Sequence, residues 1–145
     1  MERVHSERAP VPVGPYSQAV SHAGWVFASG QIPLDPLTGA LAPGDIEAQT
    51  ERVIENLAAV LEAAGSSLAR VVKTTVYVTD LALFARINAV YERHFSAPVP
   101  PARATVQVVA LPLGAAVEID AIATTGERER PADQSTASTG ADSPR

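Results

Sequence analysis

The chain has 145 residues, of which 46% are hydrophobic and 19% charged, with a net charge of −5, no cysteine and Lys73 as its single lysine. That length supports one domain with a substantial core. The composition excludes disulfides, and the acidic balance argues against capture of nucleic acid, which needs a basic surface to displace counterions.

Apolar runs fall far short of the ~20 residues that span a bilayer. The start, Met-Glu-Arg-Val-His, lacks the charged-then-apolar pattern of a signal peptide. The expected setting is therefore cytoplasmic, with no membrane or nucleic-acid partner. In chain order, Ser17–Val20 is expected to pair with a strand at Gly24–Gly30 through a turn near His22–Gly24. Pro33–Gly39 is loop chemistry, rich in proline and closed by a glycine. Asp45 can cap a helix whose apolar positions Ile46, Val53, Leu57, Val60, Leu61 and Ala64 share one face, and Gly65 ends it.

Val71–Thr79, β-branched and aromatic, reads as a strand. Asp80 then caps a second helix with Phe84, Ile87, Tyr91 and Phe95 in one stripe. Two further strands, Ala104–Ala110 and Ala116–Thr124, are separated by a turn at Leu111–Gly114. The order β-β-α-β-α-β-β contains two crossovers, each of which makes its flanking strands parallel and lays its helix on a sheet face. If both helices share that face, the other must meet water or another subunit. From Glu127 to Arg145 nothing is more apolar than alanine or proline, so residues 1–126 form the folded unit and 127–145 a disordered polar tail.

Chemistry concentrates on the last two strands. Alternation puts Val117, Ile119, Ala121 and Ala123 on one face and Glu118, Asp120, Ile122 and Thr124 on the other. The acidic row reads either as a solvated face or as a subunit interface with a pocket in it. Arg103, entering its strand behind two prolines, reads either as a surface ion pair or as a fork for a ligand carboxylate. A guanidinium and carboxylates on such strands can hold a small acid beside a water. His5, His22 and His94 have no ligand spacing, so no metal is expected, and phosphate-binding glycine motifs are missing. Packing or capping is expected of His94, and a core or interface role of Trp25.

Together the segments Ala9–Pro10, Gly14–Val20, Ser29–Asp35, Ala48–Thr50, Glu55–Leu57, Ala63–Ser67, Val72–Val76, Phe84–Asn88, Pro101–Arg103, Leu111–Pro112 and Glu118–Ile119 resemble the Rid family of reactive-intermediate deaminases. The resemblance to this family, also called YjgF, runs from about residue 9 to residue 124 and points to its arginine-bearing, RidA-like subgroup. It implies an α+β, chorismate-mutase-like fold: a mixed sheet with two helices on one face, in a homotrimer with its sheets around a central axis. It further implies cofactor-free hydrolysis of 2-imino and 2-enamino acids to 2-oxo acids and ammonia, in pockets between subunits. Arg103 would grip the substrate carboxylate, and Glu118 with the Thr105 backbone carbonyl would hold the water. Tyr16, Ser29 and Gly30 would line the pocket. The chain departs from many relatives in carrying Thr105 where cysteine is common and Asp120 where glutamate is common. The alternative is a trimer without catalysis that binds small acids or acts as a chaperone-like regulator.

Overall fold

A glycine-bounded apolar run becomes the strand on which the fold is built. In the computed structural model, which describes residues 1–126, this is β3 (Trp25–Gln31), paired antiparallel with β2 (Ala19–His22). The two-residue turn between them puts Ala23 at φ 50° and Gly24 at φ 83°. Left-handed backbone at both positions matches the twist of the flanking strands. A short strand the sequence did not signal, β1 (Glu2–Val4), adds to the outer side of β2. Its three residues carry too little pattern to stand out. The expected tail lies outside the described residues.

Helix α1 (Ile46–Ala63) begins where Asp45 accepts a hydrogen bond from the Ala48 amide at 3.0 Å. Gly65 follows its end at φ 75°, the left-handed position in which glycine is unstrained. Strand β4 (Val71–Val78) follows. Asp80 does cap, but through Ala82 on a short 3-10 turn, Leu81–Leu83, and α2 (Phe84–His94) starts only after it. Of the predicted stripe, Ile87, Tyr91 and Phe95 are buried, while Phe84 stays at the surface. His94 packs on α1, its Nε2 2.8 Å from Glu51.

Strand β5 (Ala102–Gln107) starts two residues earlier than expected and ends earlier, and β6 (Val117–Thr124) closes the sheet. Both crossovers link parallel strands. The sheet order is β1-β2-β3-β6-β4-β5, with β4 and β5 parallel and β6 wedged antiparallel between β3 and β4. The chain is thus α+β, one six-stranded mixed sheet with two helices. The core lies under the helices, where Val117, Ile119, Ala121 and Ala123 are buried with Val53, Ile54, Leu57 and Val60. Full burial of each of the valine, leucine and isoleucine side chains is worth about 1.5–3 kcal/mol. The opposite face carries Trp25 and Phe27, both more than 40% exposed. Trp25 is therefore no core residue. Among the described residues, no helix is long and apolar enough to cross a membrane.

Candidate active site

Glu118 stands on the open face of β6, opposite Tyr77 of β4. Its carboxylate leans over Gly30 of β3, where a Cβ would lie 2.8 Å from the carboxyl carbon and closer still to Oε1. Only a glycine leaves room for that placement. The register of β3 against β6 shifts between Ala28 and Gln31, and this bulge is what brings Gly30 beneath the acid. Burial, helped by the nearby Asp120 carboxylate, raises the Glu118 carboxyl above its ordinary range. Asp120 itself is held by the Tyr77 hydroxyl at 2.9 Å and the Thr75 amide at 3.2 Å.

Glu118 and Gly30 line one side of a partly open cavity of about 60 Å³, and Tyr16 lines it from the loop before β2. The Tyr16 hydroxyl accepts from the Val13 amide at 3.2 Å. Ser29 lies next to Gly30, its hydroxyl donating to the Ser17 carbonyl at 2.6 Å. The strongest positioning element is one the sequence reading passed over as a site determinant: Gln18, 2% exposed. Its Oε1 accepts from the Ser6 amide at 2.7 Å, and its Nε2 donates to the carbonyls of Ser6 and Pro10 at 3.0 and 2.9 Å. A buried amide with both ends engaged fixes the chain entering the cavity wall. A lone glutamine gives no such signal in sequence, because its partners lie eight to twelve residues upstream.

Arg103 and Thr105 are elsewhere. Arg103 pairs in register with Thr74, a buried residue beneath α2, so its side chain leaves the sheet on the helix side. There its Nη1 donates to Asn88 Oδ1 at 2.6 Å, and Cζ lies 4.7 Å from the Tyr91 ring centroid and 5.5 Å from that of Phe84. Two π faces and one amide oxygen hold the guanidinium and leave its other donors directed into an open cleft of about 700 Å³. The sequence reading left Asn88, Tyr91 and Phe84 out of the site; an aromatic and an amide at helical spacing opposite a strand arginine were the available signal. Thr105 shares the Arg103 side of β5, and its Oγ1 is buried without a hydrogen-bond partner.

Within one chain the cationic and acidic groups do not meet. Glu118 aligns through Tyr77 with Val106, three residues beyond Arg103 on β5. Two strand spacings and three residue rises separate their Cα atoms by roughly 14 Å, and the odd offset puts their side chains on opposite faces. β5 is also the last strand of the sheet. The Val108 amide donates inward to Val78 at 2.8 Å, so alternation turns the backbone groups of Arg103 and Thr105 outward, toward the free edge. Among the described residues, no group of three or more histidine, aspartate or glutamate side chains is placed to hold a metal.

Comparison with known proteins closes on one group. The family model for Endoribonuclease L-PSP matches residues 6–125. The protein DfrA of Myxococcus xanthus is 59% identical over 122 residues, which are 83% of this chain and 92% of that one. The chloroplastic Reactive Intermediate Deaminase A of Arabidopsis thaliana is 47% identical over 123 residues, 85% of this chain and 65% of that one. Among solved structures, RidA from the Antarctic bacterium Psychrobacter sp. superposes with a TM-score of 0.82 at 48% identity, covering 86% of this chain and 99% of the other.

Proposed function

The chain belongs to the Rid family, and from that premise we propose that it hydrolyses 2-imino and 2-enamino acids, such as 2-iminobutanoate or 2-aminoacrylate, to 2-oxo acids and ammonia. The observation that carries this reading is the Glu118 carboxyl, pushed upward by burial and poised over Gly30 in a small cavity. An acid tuned toward neutrality in a cleft is suited to passing protons to and from a water. In the reaction, water adds to the protonated imine carbon, a proton moves to nitrogen, and the carbinolamine expels ammonia as the carbonyl forms. Glu118 would take the proton of the attacking water and return it to the departing nitrogen, so no cofactor is needed.

A fixed guanidinium would hold the substrate carboxylate by two parallel hydrogen bonds. Since Arg103 lies on the other side of the sheet in its own chain, we place the complete site between two copies. Arg103 and the outward Thr105 carbonyl would come from the free edge of one, and Glu118, Gly30, Ser29 and Tyr16 from its neighbour. The exposed Trp25 and Phe27 on the open face support a closed assembly, for which we propose a homotrimer. We place the protein in the cytoplasm. The net charge of −5 favours a small-acid ligand over a nucleic acid.

The test is ammonia release from 2-iminobutanoate, generated in situ by an amino-acid oxidase, with and without the protein. Hydrolysis no faster than the spontaneous rate rejects the enzymatic reading and leaves a trimer that only binds small acids.

A further inference from the structure

Glu118 and Asp120 stand on the same open face of β6, yet the fold sends them to opposite neighbours. Glu118 leans over β3, into the space that Gly30 leaves by having no side chain. Asp120 is drawn the other way, onto β4. Its Oδ1 accepts from the Thr75 amide at 3.2 Å and its Oδ2 from the Tyr77 hydroxyl at 2.9 Å. Alternate residues of a strand lie only about 6.7 Å apart, so carboxyl groups left free there can meet and share one proton. We propose that Tyr77 is a positioning residue of the site, which by holding Asp120 on β4 keeps it from pairing with Glu118. Glu118 is then the single proton-transfer group, and Asp120 a fixed charge beside it. The consequence for catalysis rests on the deaminase reading above, in which Tyr77 had no part.

Three features carry it. Register comes first: β4 and β6 pair Tyr77 with Glu118 and Thr75 with Asp120. Tyr77 therefore stands directly opposite one acid and reaches diagonally to the other. Occupancy comes second, since both Asp120 oxygens are engaged by β4 and neither is turned along β6 toward Glu118. The donor comes third. Its bond to Asp120, with burial, raises the Tyr77 hydroxyl above its ordinary range, so it keeps its proton and donates at neutral pH.

Among the described residues, the titratable or charged groups facing Glu118 come from three elements. β6 supplies Asp120, the loop before β2 supplies Tyr16, and β4 supplies Tyr77 and, farther along the same face opposite Ile122, Lys73. β3 meets the acid with Gly30, which carries no side chain. In the proposed assembly Arg103 of a neighbouring copy adds a positive charge. All of these except Tyr77 are unchanged in Tyr77→Phe, so a change in the Glu118 titration there reports the hold on Asp120.

The experiment follows the Glu118 side-chain carboxyl by carbon NMR through a pH titration of the full-length protein, unaltered and as Tyr77→Phe, Asp120→Asn and the double variant. Tyr77→Phe keeps the ring and removes one hydroxyl. It should raise the Glu118 midpoint by about half a pH unit, a roughly threefold tighter hold on the proton, as Asp120 comes to share it. Asp120→Asn should lower the midpoint, and adding Tyr77→Phe to it should change nothing further. A midpoint that stays or falls in Tyr77→Phe overturns the proposal, as does an equal rise when Asp120 is absent. In the imine assay, the acidic limb of kcat/KM should follow the NMR midpoint upward. A lower thermal midpoint with an unmoved pH profile would mark Tyr77 as merely structural and overturn the proposal as well. If no imine is accelerated, the deaminase reading falls by itself, because the titration decides the role of Tyr77 without any turnover.

Discussion

The middle of the sheet and its β5 edge solve opposite problems. Around β3 and β6 the acid Glu118 is half-buried, crowded by Gly30 and lifted in pKa by burial and by Asp120. At the β5 edge Arg103 stays exposed, its charge steadied by the Asn88 oxygen and the faces of Tyr91 and Phe84. The difference suits the two halves to the separate tasks proposed for them. A proton-transfer group gains from a low-dielectric pocket, whereas an anion clamp must stay open until its partner arrives. In the proposed reaction neither half is complete alone.

The largest effect should come from separating the halves. Arg103→Ala is expected to lower turnover of an in situ imine at least about a hundredfold, through lost orientation of the substrate, and Glu118→Gln by a similar factor, through lost proton transfer. Unfolding and reassembling the two variants together should restore part of the activity, since mixed interfaces pair an intact Arg103 with an intact Glu118. No recovery in mixed assemblies of confirmed composition would mean that both groups act within one chain.

Next is Gly30→Ala, whose methyl group would displace the Glu118 carboxyl. Activity should fall about tenfold or more while circular dichroism and thermal midpoint change little, because the three atoms nearest that position all belong to the Glu118 side chain. Rates unaltered by the extra methyl would show that the acid need not rest there.

Asp120→Asn gives a smaller effect with a defined sign. Removing the second carboxylate should lower the Glu118 pKa, moving the acidic limb of the activity profile to lower pH. Stability follows the same group. A carboxyl raised in the folded state binds its proton more tightly there than when unfolded, so stability declines as pH rises from the ordinary glutamate value through the raised one. In Asp120→Asn that declining window should narrow, as chemical denaturation at a series of pH values would reveal. The smallest expected change is for Asn88→Ala, a few-fold rise in KM with kcat nearly kept, because the two rings still hold Arg103. A drop in kcat alone would mean that Asn88 does more than orient the guanidinium.

Much of this fold was legible in local pattern. The Asp45 cap, the α1 stripe, Gly65 and the alternation along β6 each rest on contacts within one element, and each stands where expected. Strand order was not legible, because the insertion of β6 between β3 and β4 is decided by partners about forty to a hundred residues away. The site divides the same way. Glu118 was visible as a charge on a half-apolar face, yet the glycine beneath it required the bulge in β3, and the Gln18 clamp required a tertiary loop. Thr105 shows its burial only in three dimensions, an orphaned hydroxyl on the side of β5 that carries Arg103.

The wedged position of β6 also governs when the molecule can come into being. A nascent chain that has not yet released Val117–Thr124 owns two ribbons, β1–β3 and β4–β5, with no strand to join them. The single sheet therefore closes only when its last strand is in place.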